Sequence, residues 1–183
     1  MFNFAKIDTM AFDSSILENI PHIAKHYPAK STLLSAGDSA KHLFFIKSGA
    51  ARMWFNKDGN DYTLQFFLED DYICLYDILF RDKSSEFTLE TIEPTEVLVF
   101  CKEDIMEYFN SNPEFKEMVT KYIVEKMVDY VHLFLSMQSH TPEQRYAELV
   151  KNHPEIIQRI PQHYIASFLG ITPVSLSRIR GRK

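Results

Sequence analysis

The feature that most constrains the fold is a change in the spacing of apolar residues near residue 102. From about residue 29 to residue 101, apolar residues form short runs broken by Gly, Pro, Asn and Asp, which is typical of strands and turns. Beyond residue 102 they recur every three or four positions over long stretches, which is the spacing of helices. We therefore predict an α+β chain in which a β-rich body precedes a set of helices.

Six short apolar segments in the β-rich part predict strands at 32–34, 43–46, 51–55, 62–67, 87–92 and 96–100. The turns between them include Gly37-Asp38, Ser48-Gly49 and Asp58-Gly59, of which the last is the strongest hairpin signal. Strands at this spacing favour an antiparallel β-roll of the jelly-roll type.

The segment before the strands has helical spacing. Apolar side chains recur between residues 12 and 28, and prolines limit this stretch, so we predict a short helix there: Ile16, Leu17, Ile20, Ile23 and Ala24, with Pro21 and Pro28. On such a helix His22 and His26 would be four residues apart, as in a metal-ligand pair. Because no third ligand is evident, we interpret both as surface residues.

The helical part begins with a predicted helix at 102–109 and continues with one of 27 residues at 113–139, preceded by the N-cap candidate Asn112. At ~1.5 Å per residue the second helix is about 40 Å long. It carries two apolar stripes, namely Val119, Ile123, Met127, Tyr130, Phe134 and Met137, and Phe115, Met118, Tyr122, Val128, Val131 and Leu135. The first resembles a heptad seam. We expect one stripe to cover the β-roll and the other to bind a second copy, although a single face packed on the roll is the alternative.

The last part of the chain has the pattern of a helix-turn-helix motif. A helix starting after Thr141 and ending near residue 152 precedes two short helices, at about 162–169 and from Pro173 onward. Gly170 suits the left-handed position that ends the first of these, and Thr172 suits the cap of the second. Apolar residues at positions 165, 168, 169, 176 and 179 would form the core between them.

The charge is distributed unevenly. The whole chain carries −5, whereas residues 156–183 contain five Lys or Arg and no Asp or Glu. This segment is therefore +5 and the rest −10, which indicates an anionic partner at the C-terminal end. The simpler alternatives are a solvated basic last helix and an ordinary helical hairpin.

Several classes of protein are excluded by what the sequence lacks. No apolar run approaches the ~20 residues of a membrane span, and residues 1–15 do not read as a secretory signal. The two cysteines, Cys74 and Cys101, cannot form a four-thiolate site, and they suggest reduced thiols in a cytoplasm. A cupin-type His-x-His pair, a Ser/His/Asp arrangement and a P-loop are all missing. We therefore expect neither an enzyme nor a metal site.

Taken together, the turns at Gly37-Asp38 and Ser48-Gly49, the long helix and residues 159–180, RIPQHYIASFLGITPVSLSRIR, resemble the Crp/Fnr family of bacterial transcription regulators. This resemblance implies a cyclic-nucleotide-binding-like β-roll at 1–112, a dimerisation helix at 113–139 and a helix-turn-helix DNA-binding domain at 140–183. The implied partners are double-stranded DNA and a second copy, with RNA polymerase as a further candidate. The dimer helix would use Val119, Ile123, Met127, Tyr130 and Phe134.

The resemblance weakens at the segment between two strands with which nucleotide-binding members of the family bind the ribose and phosphate, called the nucleotide cassette below. Cys74-Leu75 stands where nucleotide-binding members have Gly-Glu, and Ser85-Glu86 where they have Arg-Ser. The degenerate pocket would consist of Tyr72, Cys74, Leu75, Ser85, Glu86 and Phe87. Without a cation for the phosphate, cyclic AMP is not expected to be the effector. The pocket would prefer a neutral or apolar ligand or be filled by its own side chains, unless Arg81 or Lys83 replaces the missing cation.

In the DNA-binding motif, Arg178, assisted by Ser175, is predicted to read bases. Phosphate contacts are assigned to Ser177, Arg180, Arg182 and Lys183, with Gln162, His163 and Thr172 as further contacts at the starts of the two helices. The family's other base-contacting positions hold Pro173 and Val174. The prediction is a cytoplasmic, homodimeric transcription regulator; the alternative is a ligand- or partner-binding β-roll that has weakened or lost DNA reading.

Overall fold

The computed structural model describes residues 14–39, 41–73 and 84–181. A 3₁₀ helix, Ser14–Asn19, comes first. The strands within these ranges are eight, namely β1 His22–Tyr27, β2 Thr32–Leu34, β3 His42–Ser48, β4 Ala51–Lys57, β5 Asn60–Phe67, β6 Tyr72–Ile73, β7 Thr88–Thr91 and β8 Thr95–Cys101. The described part of the chain also contains six α-helices, namely α1 Lys102–Ser111, α2 Pro113–Ser139, α3 Pro142–Asn152, α4 Pro154–Arg159, α5 Gln162–Phe168 and α6 Pro173–Gly181. The predicted α+β class is confirmed.

The strands form two four-stranded sheets with the orders β1-β8-β3-β6 and β2-β7-β4-β5. In the first sheet, β3 and β8 are antiparallel, and Phe44 faces Val99. Because side chains alternate between the two faces of a strand, each of these strands presents apolar residues to both sides. The sheet is therefore covered on both faces.

The main core lies between the two sheets. It is formed by buried side chains from seven strands, namely Leu34, Phe44, Ile46, Ala51, Met53, Phe67, Ile73, Leu89, Val97 and Val99. A second cluster covers the opposite face of the first sheet and includes the start of the helical part: Ile20, Leu43, Phe45, Tyr72, Phe100, Ile105 and Phe115. The predicted β-roll is thus a two-sheet structure with helices on one outer face.

All six predicted strands form. The helix predicted at 12–28 is found as a 3₁₀ helix at Ser14–Asn19, but its continuation is wrong, since residues 22–27 form strand β1, antiparallel to β8 with Ile23 opposite Val99. The apolar spacing was misleading because Ile23 is not buried but 63% exposed. Strand β6 and helix α4 are elements that the apolar pattern did not predict.

The helix boundaries follow from local capping chemistry. The Asn112 side chain accepts a hydrogen bond from the Phe115 N–H (2.9 Å) at the start of α2. Thr141 and Gln144 form a reciprocal capping box at the start of α3. Both starts agree with the sequence-based prediction.

The chain divides into two compact units. Within the described residues, one comprises 14–39, 41–55, 64–73 and 84–120, and the other comprises 56–63 and 121–181. The tip of the β4–β5 hairpin is thus grouped with the C-terminal helices.

The turn at Gly49 allows a test of how closely the backbone packs in the β-roll. Its backbone has φ +100°, and a Cβ atom there would come within 2.6 Å of the Pro94 carbonyl oxygen. Gly59, at the hairpin tip, has φ +79° but nothing within 4 Å of an added Cβ. We expect Gly59→Ala to cost ~1–2 kcal/mol of conformational strain and Gly49→Ala to cost about 2 kcal/mol more, because the backbone of Pro94 and Thr95 must move. Urea unfolding of both variants measures the difference, and equal losses would contradict this account of the turn.

Candidate functional site

Helices α5 and α6 are joined by the short turn at 169–172. Gly170 has φ +69°, in the left-handed region that glycine adopts easily. The Ile171 N–H donates to the Ala166 carbonyl (3.0 Å), which closes the end of α5. Thr172 Oγ1 accepts from the Ser175 N–H (3.1 Å) and caps α6. The predicted Gly170 and Thr172 features therefore both form.

The two helices share a small apolar core. Ile165, Ala166, Leu169 and Leu176 are buried. A small residue at position 166 lets the helices approach closely, and Leu176 provides the buried side of α6. This core determines which face of α6 is exposed.

The exposed face of α6 includes Val174, Ser177, Arg178 and Arg180. Ser175 is half-buried, and its hydroxyl lies 3.0 Å from Thr172 Oγ1 within the helix cap. Arg178 and Arg180 lie in the last turn, and the first turn contains no acidic residue. This face thus offers two guanidinium groups, a hydroxyl and an apolar residue.

The structure describes three of the five remaining residues that are predicted to contact DNA. Gln162 and His163 are exposed in the first turn of α5, where the His163 ring lies against the Tyr164 ring with centroids 4.0 Å apart. Thr172 is exposed. Arg182 and Lys183 lie outside the described residues.

A buried guanidinium was missed by the sequence analysis. Arg145 on α3 donates from Nη1 to the His140 carbonyl and from Nη2 to the Leu169 carbonyl, each at 2.8 Å. It thereby joins the residue that follows α2 to the end of α5. Burial lowers the pKa of the Arg145 guanidinium, although an arginine remains protonated at neutral pH. The available signal was its place beside Tyr146 on the buried face of α3.

A second long-range connection involves α5 and the hairpin tip. The Ser167 hydroxyl donates to the Asp61 carbonyl (2.7 Å) and accepts from the Thr63 N–H (2.9 Å). Strand β5 is the last strand of its sheet. Ser167 therefore satisfies two backbone groups on a sheet edge that would otherwise need other partners.

Helix α2 changes character along its length. In its first turns Phe115 is buried, and Met118 and Val119 pack against the second apolar cluster. Farther along, residues of both predicted stripes are exposed, namely Ile123, Met127, Tyr130 and Phe134 of the first and Val128, Val131 and Leu135 of the second, and Val124 beside them is exposed as well. Met127 and Phe134 are 66% and 64% exposed. The expected packing on the roll is thus found for the first turns.

The two described aromatic residues of the predicted effector pocket belong to different apolar clusters. Tyr72 belongs to the second apolar cluster and contacts Phe45, with ring centroids 4.8 Å apart. Phe87 instead packs against the core between the sheets. Cys74 and Leu75 lie outside the described residues.

The buried Ser85 is engaged within the chain. Its hydroxyl donates to the Phe87 carbonyl (2.7 Å) and accepts from the Phe87 N–H (3.1 Å). Its backbone exchanges hydrogen bonds with Gly37 and Asp38 in the turn after β2. The neighbouring Glu86 is exposed. Ser85 therefore fixes the local backbone here.

The roll also contains an ion pair that the sequence analysis did not predict. Arg52 on β4 is 3% exposed and forms a 3.1 Å ion pair with Glu90, its neighbour on β7. The guanidinium lies 4.8 Å from the centroid of the Trp54 ring. An arginine inside the apolar run 51–55 was the sequence signal. Its charge is met by a carboxylate of the same sheet.

The histidine pair considered as metal ligands lies on β1, not on a helix. Residues four apart on a strand are separated by about 13 Å, too far to bind one ion. Among the described residues, no group of three His, Cys, Asp or Glu side chains is arranged to hold a metal. No helix within the described ranges is long and apolar enough to cross a bilayer.

Comparison with known protein families gives a match over the roll. Residues 24–112 match the family described as the cyclic nucleotide-binding domain. No match was found among curated protein sequences. The β-roll is therefore similar to the cyclic nucleotide-binding domain.

Solved structures extend the similarity to the whole fold. A CooA mutant from Carboxydothermus hydrogenoformans has a TM-score of 0.72 at 16% identity, covering 98% of this chain and 86% of that one. FixK2 from Bradyrhizobium japonicum has 0.76 at 16%, covering 89% and 84%. A candidate Crp/Fnr-family transcriptional regulator from Eubacterium rectale has 0.71 at 17%, covering 96% and 83%. The chain therefore has the fold of these regulators.

Arg145 offers a test of how the α5–α6 pair is held. Arg145→Met removes both charge-assisted bonds and leaves two carbonyls without their donor, so we expect a loss of about 3 kcal/mol in unfolding free energy. Arg180→Met, at an exposed arginine of α6, should cost less than about 0.5 kcal/mol. Urea denaturation compares the two variants. A similar small loss for both would show that the buried guanidinium does not hold the helices.

Proposed function

We propose that the protein is a transcription regulator of the Crp/Fnr type that binds double-stranded DNA as a homodimer in the cytoplasm, with RNA polymerase as a candidate partner. The observation that carries this proposal is the pair α5–α6, in which a buried core leaves a basic face of α6 exposed. The similarity of the whole fold to known regulators supports it.

The exposed face of α6 suits the major groove. That groove is about 12 Å wide and admits a helix, and an arginine side chain can bond the O6 and N7 atoms of guanine together. Arg178 takes this role. Ser177 and Arg180 contact phosphates, as do Arg182 and Lys183, while Gln162 and His163 approach the backbone from α5.

The exposed apolar part of α2 supports dimerisation. Eight large apolar side chains between residues 123 and 135 are exposed in the single chain. A continuous apolar strip of this kind favours association, and its 3–4 spacing suits a helix of a second copy. Two copies joined in this way present two α6 helices to DNA, as a two-fold operator requires.

The roll is proposed not to take cyclic AMP. A cyclic nucleotide phosphate needs a cation, because an uncompensated buried charge costs several kcal/mol. Ser85 stands at the position of the family's arginine and bonds to Phe87, while Glu86 beside it would repel the phosphate. A neutral or apolar small ligand suits the roll better.

The DNA-reading role is tested by two arginines on α6. The wild-type protein is first used to select a binding site from random duplex. Arg178→Ala should then discriminate between this site and random duplex by ~1–3 kcal/mol less than the wild-type protein, since a bidentate guanine contact is removed. Arg180→Ala should weaken binding to both DNAs alike and lower the salt slope by about one. Mobility shifts over a salt series measure both effects.

The wild-type protein is the control for the same experiment. Equal losses on both DNAs for Arg178→Ala would show that Arg178 is not a base reader. Failure of wild-type dimers to bind any duplex at low salt would favour a ligand- or partner-binding β-roll without DNA reading.

Dimerisation is tested on the exposed strip of α2. Ile123→Glu combined with Met127→Glu places two charges in the proposed seam, so we expect monomers that lose operator binding. Lys121→Glu, at an exposed position of the same helix, is the matched control and should remain dimeric. Analytical ultracentrifugation at micromolar concentration measures the state, and a monomeric wild-type protein would contradict the dimer.

The ligand prediction is tested by calorimetric titration with cyclic AMP and cyclic GMP. Loss of a charged partner costs ~2–5 kcal/mol, and each 1.4 kcal/mol is about tenfold in affinity. We therefore expect dissociation constants above about 10 µM for both nucleotides. A tighter constant for either would overturn this account of the cassette.

A further inference from the structure

The tip of α6 that precedes Arg178 is apolar and exposed. Pro173 is the first residue of the helix, and Val174 follows it with 61% of its surface exposed. Neither side chain carries a hydrogen-bond donor or acceptor. Isolated exposed valines are common, but this one lies at the end of the helix that is proposed to enter DNA.

Ser175, in the same turn of the helix, is less available for contacts with DNA. The Ser175 hydroxyl lies 3.0 Å from Thr172 Oγ1, and its backbone N–H donates to the same oxygen. Ser175 is half-buried. Val174 and Pro173 are therefore the side chains that the first turn presents outward.

Val174 shares one face of α6 with Ser177 and Arg178, since residues three and four apart on a helix are neighbours. Four residues at ~1.5 Å correspond to about 6 Å along the axis. The rise per base pair is about 3.4 Å. A base contacted by Val174 would thus lie within about two base pairs of the one contacted by Arg178.

The N-terminal residues of a recognition helix contact base edges in the major groove. The apolar group that a base edge presents there is the C5-methyl of thymine. We propose that Val174 is a specificity residue that contacts a thymine methyl in each half-site, within about two base pairs of the guanine contacted by Arg178. This inference rests on the proposed DNA-binding function and specifies one base in each half-site of the operator.

The test replaces thymine by deoxyuridine, which pairs in the same way but lacks the methyl group. A site is first selected from random duplex with the wild-type protein, and each symmetric pair of thymines is then replaced in turn. At one pair near the conserved guanine we expect binding to weaken about fourfold per half-site, the equivalent of burying one methyl-sized group. Val174→Ala should bind the thymine site about fourfold more weakly per half-site and show no further loss with deoxyuridine.

Two control variants separate this contact from general effects. Val174→Ile keeps branched methyl groups and should remain sensitive to deoxyuridine, as should Ser177→Ala on the same face. A wild-type protein that binds its selected site but is insensitive to every replacement overturns the inference and leaves the proposed function intact. Sensitivity that persists in Val174→Ala also overturns it. If no duplex is selected at all, the proposed DNA-binding function fails and the inference fails with it.

Discussion

The arrangement of the C-terminal helices depends on the buried guanidinium of Arg145. Its two hydrogen bonds, each 2.8 Å long, end on the carbonyls of His140 and Leu169. His140 follows the long helix α2, and Leu169 begins the turn before α6. One side chain thus relates the helix proposed to form the dimer to the helix proposed to read DNA. A buried charge is costly unless its hydrogen bonds are made, so the arrangement is favoured only while both carbonyls stay in place.

Features governed by neighbouring residues could be predicted from the sequence. The hairpin tip forms with positive φ at both Asp58 (54°) and Gly59 (79°), as its turn type requires. Thr141 caps α3, and Gly170 ends α5 in the turn before α6. Each involves atoms a few residues apart, so the local sequence contains all the information needed.

Features that join distant parts of the chain could not be predicted in this way. Ser167 binds backbone groups of Asp61 and Thr63, more than 100 residues earlier. The partner of Arg52 is Glu90, which only the strand order brings beside it. Apolar spacing also failed at residues 22–27, because a strand at a sheet edge can carry the same pattern as a short helix.

The central claim is that two copies joined along α2 present two α6 helices to one duplex. Hydroxyl-radical footprinting of the wild-type protein on a selected site tests it directly. Two recognition helices on a two-fold axis should protect two symmetric segments whose centres are one helical turn, about 34 Å, apart. A single protected segment, or two segments at another spacing, would contradict the account.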